Sequence, residues 1–372
     1  MSQVSGFQIE DDVNLIISFA RFVHQRFIWF LLGGYVIAGL WPAWGLWIRH
    51  VTLGQIEAFQ EQTLVSLPML MLAFLLFNAG MGVELAGLRE LPQNLKILVV
   101  GVAANLLVPL GFIFLVSRVM GFWHNLDETQ NILVGLALIA SMPIAGSSTA
   151  WTQNANGNMT ISLGLVLATT FLSPLTTPSI LHAVGAITTG DYSEDLHELA
   201  THGTGMFLAI CVIFPSGAGI LLRVFLSRNR MVATKPYLKL MNAIVLLLLI
   251  YSNASVALPK AISHPDMDFL SVMWFIAISL CSLAFFFGWM LALILQIDSG
   301  QRTALMFGLG MNNNGTGLVL AAMALADHPQ VMLPIIMYNL IQHLVAGSVN
   351  QFLFTERVGK AEPAGSGGQV RP

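Results

Sequence analysis

The chain has 372 residues, of which 56% are hydrophobic and only 9% are charged, and its mean hydropathy is +0.75. Because an average soluble domain carries about 25% charged residues, this composition excludes an ordinary soluble domain and predicts a polytopic membrane protein embedded in the lipid bilayer. The formal net charge of -3 is too small to suggest that the protein binds nucleic acid.

The first 26 residues precede the first apolar run. They are mixed in charge and lack a compact apolar stretch followed by a small-residue cleavage site, so we expect no cleaved signal. Within residues 13–26 apolar side chains recur on one helical side, which indicates either a helix on the membrane surface or a plain cytoplasmic lead. We take residues 1–26 as a cytoplasmic segment.

Apolar runs of about 20 residues, the length that crosses a bilayer, predict ten transmembrane helices. They lie near residues 27–48, 64–83, 95–117, 130–153, 159–185, 204–226, 237–257, 268–296, 303–327 and 331–354. The fourth and ninth are interrupted, and each is the fourth member of a set of five. Because five is odd, a duplicated five-helix unit inserts with opposite topology. We therefore predict an all-α protein of two inverted five-helix repeats, whose broken fourth and ninth helices cross near the midplane.

This prediction divides the chain into units. Residues 27–226 hold the first repeat and the sixth span, and residues 237–354 hold the remaining helices of the second repeat. A loop from Ser227 to Pro236 joins them. Residues 355–372 lack the apolar content to fold, so we expect a disordered cytoplasmic tail.

The distribution of basic residues predicts the orientation. Of the 16 lysines and arginines, only Arg49, Arg118 and Lys260 fall outside if the N-terminus is inside. The positive-inside rule then places both termini in the cytoplasm, and we expect the cell (inner) membrane of a prokaryote. Cys211 and Cys281 fall within predicted spans, so we expect free buried thiols and no disulfide.

The ninth span contains the most unusual run, FGLGMNNNGTGL at residues 307–318. Asn312, Asn313 and Asn314 lie between Gly310 and Gly315 inside an apolar segment. An unsatisfied polar group in hydrocarbon costs several kcal/mol. The helix is therefore predicted to break here, and the three amides are predicted to line a binding cavity.

The fourth span contains a second candidate break, SMPIAGSSTAWTQNANGN at residues 141–158. Pro143 removes a backbone donor, and the hydroxyls of Ser147, Ser148 and Thr149 follow. Paired half-helices would place free N–H groups, which favour anions, beside free carbonyls, which favour cations. The alternative for the serines is that they are small residues at a helix interface.

Other polar side chains lie within the predicted spans. Asn105 is in the third span, and Asn339, Gln342 and His343 share one face of the tenth. His343 is a candidate titrating group, or a hydrogen-bonded packing residue. No acidic or basic residue lies at the centre of a span, so a carboxylate proton relay has no evident carrier.

Several motifs together resemble a known family. They are FNAGMGVEL at residues 77–85, PIAGSSTAWTQNANGN at 143–158, SPLTTP at 173–178, FGLGMNNNGTGLVLA at 307–321 and the region around His343. In order and spacing they resemble the bile acid:sodium symporter family, whose members move organic anions with sodium in a ten-helix fold. The resemblance implies the same fold and a transporter rather than an enzyme.

The resemblance also implies candidate ligands. First-site sodium positions are matched by Ser148, Thr149 and Ser162, and second-site positions by Leu309, Met311 and Asn312. Asn105 falls near the family's third-helix glutamine. Together with Asn313, Asn314 and His343, these residues form the predicted substrate and ion site. No cofactor is expected, with sodium as the candidate coupling ion.

The chain departs from the family at positions that matter for sodium. Gly308 stands where sodium-coupled members carry an acidic residue, Thr149 replaces an asparagine, and Val166 replaces a threonine. Loss of the carboxylate removes the charge that offsets a bound cation. We therefore predict a secondary active transporter of an organic anion with altered or absent sodium coupling.

Two other functions remain as alternatives. One is a ligand sensor of the same fold that does not transport. The other is an intramembrane serine hydrolase, with Ser147 or Ser148 as nucleophile and His343 as base. For a transporter, the scarcity of basic residues in the spans predicts that dipoles, hydroxyls and amides bind the anion. This favours a weakly hydrated or amphipathic organic anion.

Overall fold

The computed structural model describes residues 22, 26–58, 61–83, 89–201 and 204–351. The segment at 13–26, interpreted as a surface helix or a cytoplasmic segment, lies almost wholly outside these residues, and the tail predicted at 355–372 lies wholly outside them. The described residues are mostly helical, as the apolar sequence indicated.

The chain enters through two helices and a hairpin. Helices α1 (Phe27–Leu40) and α2 (Ala43–His50) meet at an angle of 91°. Pro42 explains this bend, because its ring disfavours helical geometry at the preceding residue. Strands β1 (Thr52–Ala58) and β2 (Glu61–Ser66) form an antiparallel pair that the sequence analysis did not predict.

The middle of the chain is a series of helices. They are α3 (Leu67–Met81), α4 (Leu95–Met120), α5 (Leu126–Ser141), α6 (Ser147–Asn154), α7 (Met159–Gly185) and α8 (Asp191–Thr201). A 3₁₀ turn at Leu91–Asn94 precedes α4. The predicted fourth span therefore consists of two helices, α5 and α6.

The rest of the chain is also helical. Its helices are α9 (Thr204–Leu208), α10 (Phe214–Phe225), α11 (Arg228–Ser263), α12 (Met267–Leu295), α13 (Ser299–Gly310), α14 (Asn314–Ala324) and α15 (Met332–Val349). A π-helical turn at Ala209–Ile213 joins α9 to α10, and a 3₁₀ turn at Pro329–Val331 precedes α15.

The loop predicted between Ser227 and Pro236 is wrong. Residues 228–236 are the first turns of α11, and the Ser227 side chain caps the helix by accepting from the Arg230 N–H at 3.5 Å. A serine cap offsets the lack of intrahelical partners at a helix start.

Helix length supports fewer spans than the sequence predicted. Among the described residues, six helical stretches are long and apolar enough to cross a membrane, or seven if the bent pair α1–α2 is one span. The other three predicted spans coincide with the 15-residue α3 and with the broken pairs α5–α6 and α13–α14.

The helices pack in two groups. Helices α1, α2, α3, α10 and α11 pack on one another, and the helices around the two broken pairs form the other group. Small residues allow close approach within the first group: a Cβ at Gly80 would collide with the Ser216 carbonyl, and one at Gly219 with the Phe77 carbonyl. Cys211 and Cys281 are free and buried, which confirms that prediction.

Candidate functional site

The two broken helices touch at their breaks. The extended residues after α5 and after α13 pair as an antiparallel bridge between Ile144 and Asn312. The Ala145 N–H donates to the Met311 carbonyl at 2.9 Å, and the Asn313 N–H donates to the Pro143 carbonyl at 2.8 Å. Each break therefore satisfies backbone groups that the other break frees.

Side chains from neighbouring helices satisfy further backbone groups at this crossing. The Ile144 N–H donates to Thr169 Oγ1 of α7 at 3.1 Å, and the Asn312 N–H donates to Gln342 Oε1 of α15 at 3.1 Å. Asn312 Nδ2 donates to the Ile139 carbonyl at 2.9 Å. The crossing is thus fixed to α5, α7 and α15.

The contact through Gln342 continues to the other helix group. Gln342 Nε2 donates to Asn339 Oδ1 at 3.2 Å, and Asn339 Nδ2 donates to the Tyr35 hydroxyl at 3.0 Å. All three side chains are buried. This network links α1 through α15 to the backbone of Asn312.

The crossing also holds polar atoms that have no protein partner among the described residues. They are Ser148 Oγ, Asn312 Oδ1, Thr316 Oγ1 and both amide atoms of Asn314, on side chains that are at most 1% exposed. A buried polar atom without a partner costs about 1–3 kcal/mol. A ligand or water that bonds these atoms would remove that cost, so they make the crossing a candidate binding site.

The start of α14 adds electrostatics to this site. Asn313 caps the helix, because its Oδ1 accepts from the Thr316 N–H at 3.4 Å. The aligned peptide dipoles place about half a positive charge at such an N-terminus. The partnerless amide of Asn314, the first residue of α14, therefore lies where an anion is favoured.

The predicted first-site hydroxyls lie together around α6. Ser162 Oγ donates to Thr152 Oγ1 at 3.2 Å, and Thr152 Oγ1 donates to the Ser148 carbonyl at 2.9 Å. Thr149 Oγ1 donates to the Gly146 carbonyl at 2.7 Å. Of the three predicted hydroxyls, only Ser148 Oγ is left without a partner.

The position of Gly308 is filled by apolar side chains. A Cβ built there would lie 3.1 Å from Leu165 Cδ1 and 3.7 Å from Ile144 Cδ1. Both side chains belong with Leu309 to a buried apolar cluster, against which Val166 packs. A cation here would meet methyl groups instead of an offsetting carboxylate, so these residues do not fit the sodium sites that the resemblance implies.

Asn105 and His343 lie at two other places. Asn105 is 2% exposed, has both amide atoms without a partner, and lines a small cavity beside the first break. The other lining residues are Val102, Leu106, Ser141, Met142, Pro143, Thr169, Leu172 and Thr176. His343 lies half-buried on α15, next to Gln342 in the chain.

Three more residues fix the crossing, of which the sequence indicated only Gln342, as a polar residue of the tenth span, and neither Thr169 nor Thr177. Thr169 accepts from the Ile144 N–H, Thr177 Oγ1 donates to the Ser141 carbonyl at 2.7 Å, and Gln342 bonds Asn312. The two threonines are eight residues apart, about two helical turns. The sequence signal that could have identified the two threonines is this spacing of hydroxyls in the fifth span, which follows the break at Pro143.

Comparisons with known proteins place this chain among transporters of one family. The model of the sodium bile acid symporter family matches residues 69–263. YocS of Bacillus subtilis (strain 168), named as a sodium-dependent transporter, is 23% identical over 79% of this chain and 84% of its own length. YbaS of the same strain is 26% identical over 58% of this chain and 66% of its own length.

Proposed function

Because the chain belongs to the sodium bile acid symporter family and is a membrane transporter, we propose that it carries a small or amphipathic organic anion by secondary active transport. The observation that carries this proposal is the paired break, where Asn312, Asn314 and Ser148 present buried polar atoms without partners among the described residues. Such a crossing of half-helices suits a transport site.

We propose that the membrane topology follows the ten predicted segments as two inverted repeats of five segments each. The antiparallel bridge between the two breaks supports a symmetric relation. Both termini are proposed to be cytoplasmic, in a cell membrane, because of the distribution of lysine and arginine.

The proposed anion site uses dipoles and amides. The N-termini of α6 and α14 lie beside the crossing and favour negative charge. The amide of Asn314 offers both a donor and an acceptor without a partner. Neutral donors compete poorly for a strongly hydrated ion, so the chemistry favours an organic anion with an apolar body.

We propose that sodium does not drive this transport at the positions that the family resemblance implies. Leu165 and Ile144 fill the space beside Gly308, and no carboxylate of the described residues lies among these neighbours to replace the charge. We also propose no hydrolase activity: Ser148 Oγ has no hydrogen-bonded base among the described residues, as an activated nucleophile requires.

Uptake into proteoliposomes tests the function. A thermal-shift screen of organic acids, each with and without sodium, selects the most stabilising anion, and its uptake is then measured in sodium and in potassium. We expect saturable uptake at equal rates in the two salts. Asn314→Ala should lower uptake at least tenfold, and the exposed Gln153→Ala on α6 is the matched control.

Each failure has a distinct meaning. Uptake that requires sodium would refute sodium independence and leave the transporter intact. Binding without uptake or counterflow would refute transport in favour of the sensor. A separate comparison tests the packing argument: Gly308→Glu alone should not create sodium dependence, whereas Gly308→Glu combined with Leu165→Ala should allow it.

A further inference from the structure

Arg49 stands out among the basic residues because it points into the protein. The distribution of basic residues predicts that Arg49 is external, and Arg49 occupies the last turn of α2. Its Nη2 donates to the Ala322 carbonyl near the end of α14, and its Nη1 approaches Asn253 Oδ1 of α11 at 3.5 Å. The guanidinium is half-buried where α2, α11 and α14 meet.

No carboxylate of the described residues pairs with this guanidinium. Among all the described residues, the carboxylates that lie within 4 Å of a basic side chain are Asp268, beside His124, and Asp195, beside His328. Removing a charge from water is costly unless it is paired. The carbonyl end of α14 supplies only a partial negative charge, about half a unit, so a positive charge is left without a full counter-charge.

Asn253 adds a second, independent observation. Its side chain is 0% exposed, and its Nδ2 has no acceptor, although its Oδ1 faces Arg49. Arginine has five N–H donors in a planar fork, and two contacts from this guanidinium to the described residues are made here. The junction therefore offers several donors and a positive charge, and it lacks an acceptor.

We propose that Arg49 and Asn253 form a subsite for the carboxylate of the transported organic anion. A planar carboxylate accepts two parallel N–H bonds from a guanidinium, and the Asn253 amide supplies a further donor. This assignment rests on the proposed transport function. It identifies the substrate class as a carboxylic acid.

The place of the subsite suggests its role. Helix α14 begins at the crossing and ends beside Arg49. Its 11 residues span about 16 Å at 1.5 Å per residue. The subsite lies on the side that the sequence predicts to be external, where basic residues are few, so it attracts anions before they reach the crossing.

Binding of acetate tests the subsite without requiring the natural substrate. The full-length protein is purified in dodecyl maltoside, which has no charged group, and Tm is measured against sodium acetate in a constant chloride background. We expect a saturable rise in Tm with acetate and none with the neutral isostere acetamide. Arg49→Gln should abolish the rise, and Arg118→Gln, exposed in the last turn of α4, should keep it.

Arg49→Lys is a control for the possibility that Arg49→Gln fails to fold. It keeps the charge and loses the planar fork, so the acetate dissociation constant should increase about tenfold, the lower end of what a charged hydrogen bond contributes. In the uptake assay Arg49→Gln should raise KM for the selected acid by a similar factor.

Three results would overturn the assignment. They are an absent acetate shift in the wild type, a shift that persists in Arg49→Gln, and a shift that disappears in phosphatidylcholine nanodiscs. The last result would assign the subsite to a lipid phosphate. Two further outcomes separate the subsite from the transport proposal. An acetate shift that depends on Arg49, without uptake of any organic acid, refutes transport. Uptake with an unchanged KM in Arg49→Gln refutes the subsite alone.

Discussion

Replacing Gln342 with methionine should destabilise the crossing. The substitution keeps the length and apolar volume of the side chain and removes both of its hydrogen bonds. Gln342 Oε1 is the side-chain acceptor for the Asn312 N–H, and Nε2 donates to Asn339 Oδ1. Because Asn312 lies between α13 and α14, no carbonyl within a helix can accept from its N–H when Gln342 is replaced.

The expected magnitude follows from the two groups left unpaired. A buried N–H without an acceptor costs about 1–3 kcal/mol, and the lost bond to Asn339 adds about 1 kcal/mol. Interhelical hydrogen bonds in membrane proteins average about 0.6 kcal/mol because side chains find other partners. The Asn312 N–H belongs to rigid backbone, so we expect a total loss of about 2–4 kcal/mol for Gln342→Met.

Equilibrium unfolding in mixed micelles measures this loss. Gln153→Met, on the exposed surface of α6, makes the same chemical change without buried partners and should lie within about 0.5 kcal/mol of the wild type. A Gln342→Met protein as stable as the Gln153→Met control would refute the view that this side chain fixes the break.

Two further predictions test packing and protonation. Gly310→Ala should lower the free energy of unfolding by about 1–3 kcal/mol, because its Cβ would collide with the buried Phe285 ring. Gly111→Ala, whose Cβ would lie in open space, should not lower it. Chemical unfolding measures both variants. Partial burial raises the pKa of Asp195, and His328 at 3.5 Å opposes that shift. A raised carboxyl pKa gives stability that is present at low pH and lost as pH rises through it. Asp195→Asn should therefore raise Tm more at pH 8 than at pH 4, and equal effects at the two pH values would contradict this.

The sequence alone determined the class of protein and the places where its helices break. Composition and apolar runs predicted membrane helices, because hydrocarbon tolerates few charges. The local signals at Pro143 and at Asn312–Asn314 predicted the two interruptions, since proline and buried amides are incompatible with a lipid-facing helix. The motifs around those breaks also indicated the family to which the chain belongs.

Local signals did not identify everything in the fold. The antiparallel strands β1 and β2 and the helical start of α11 were missed. In both cases the polar residues flanking an apolar run suited a loop equally well. A helix cap such as Ser227 contributes only about 1 kcal/mol, and the packing of neighbouring segments decides between such alternatives.

Only the tertiary structure decided what surrounds the breaks. The partners of backbone groups at the breaks come from residues 25 to 173 positions away, such as the Thr169 hydroxyl for the Ile144 N–H and the Asn312 side-chain amide for the Ile139 carbonyl. The same holds for Leu165, which fills the space beside Gly308, and for Arg49, which turns inward. A sequence shows which groups need a partner, because that need is local. Which distant side chain meets the need depends on how the helices pack.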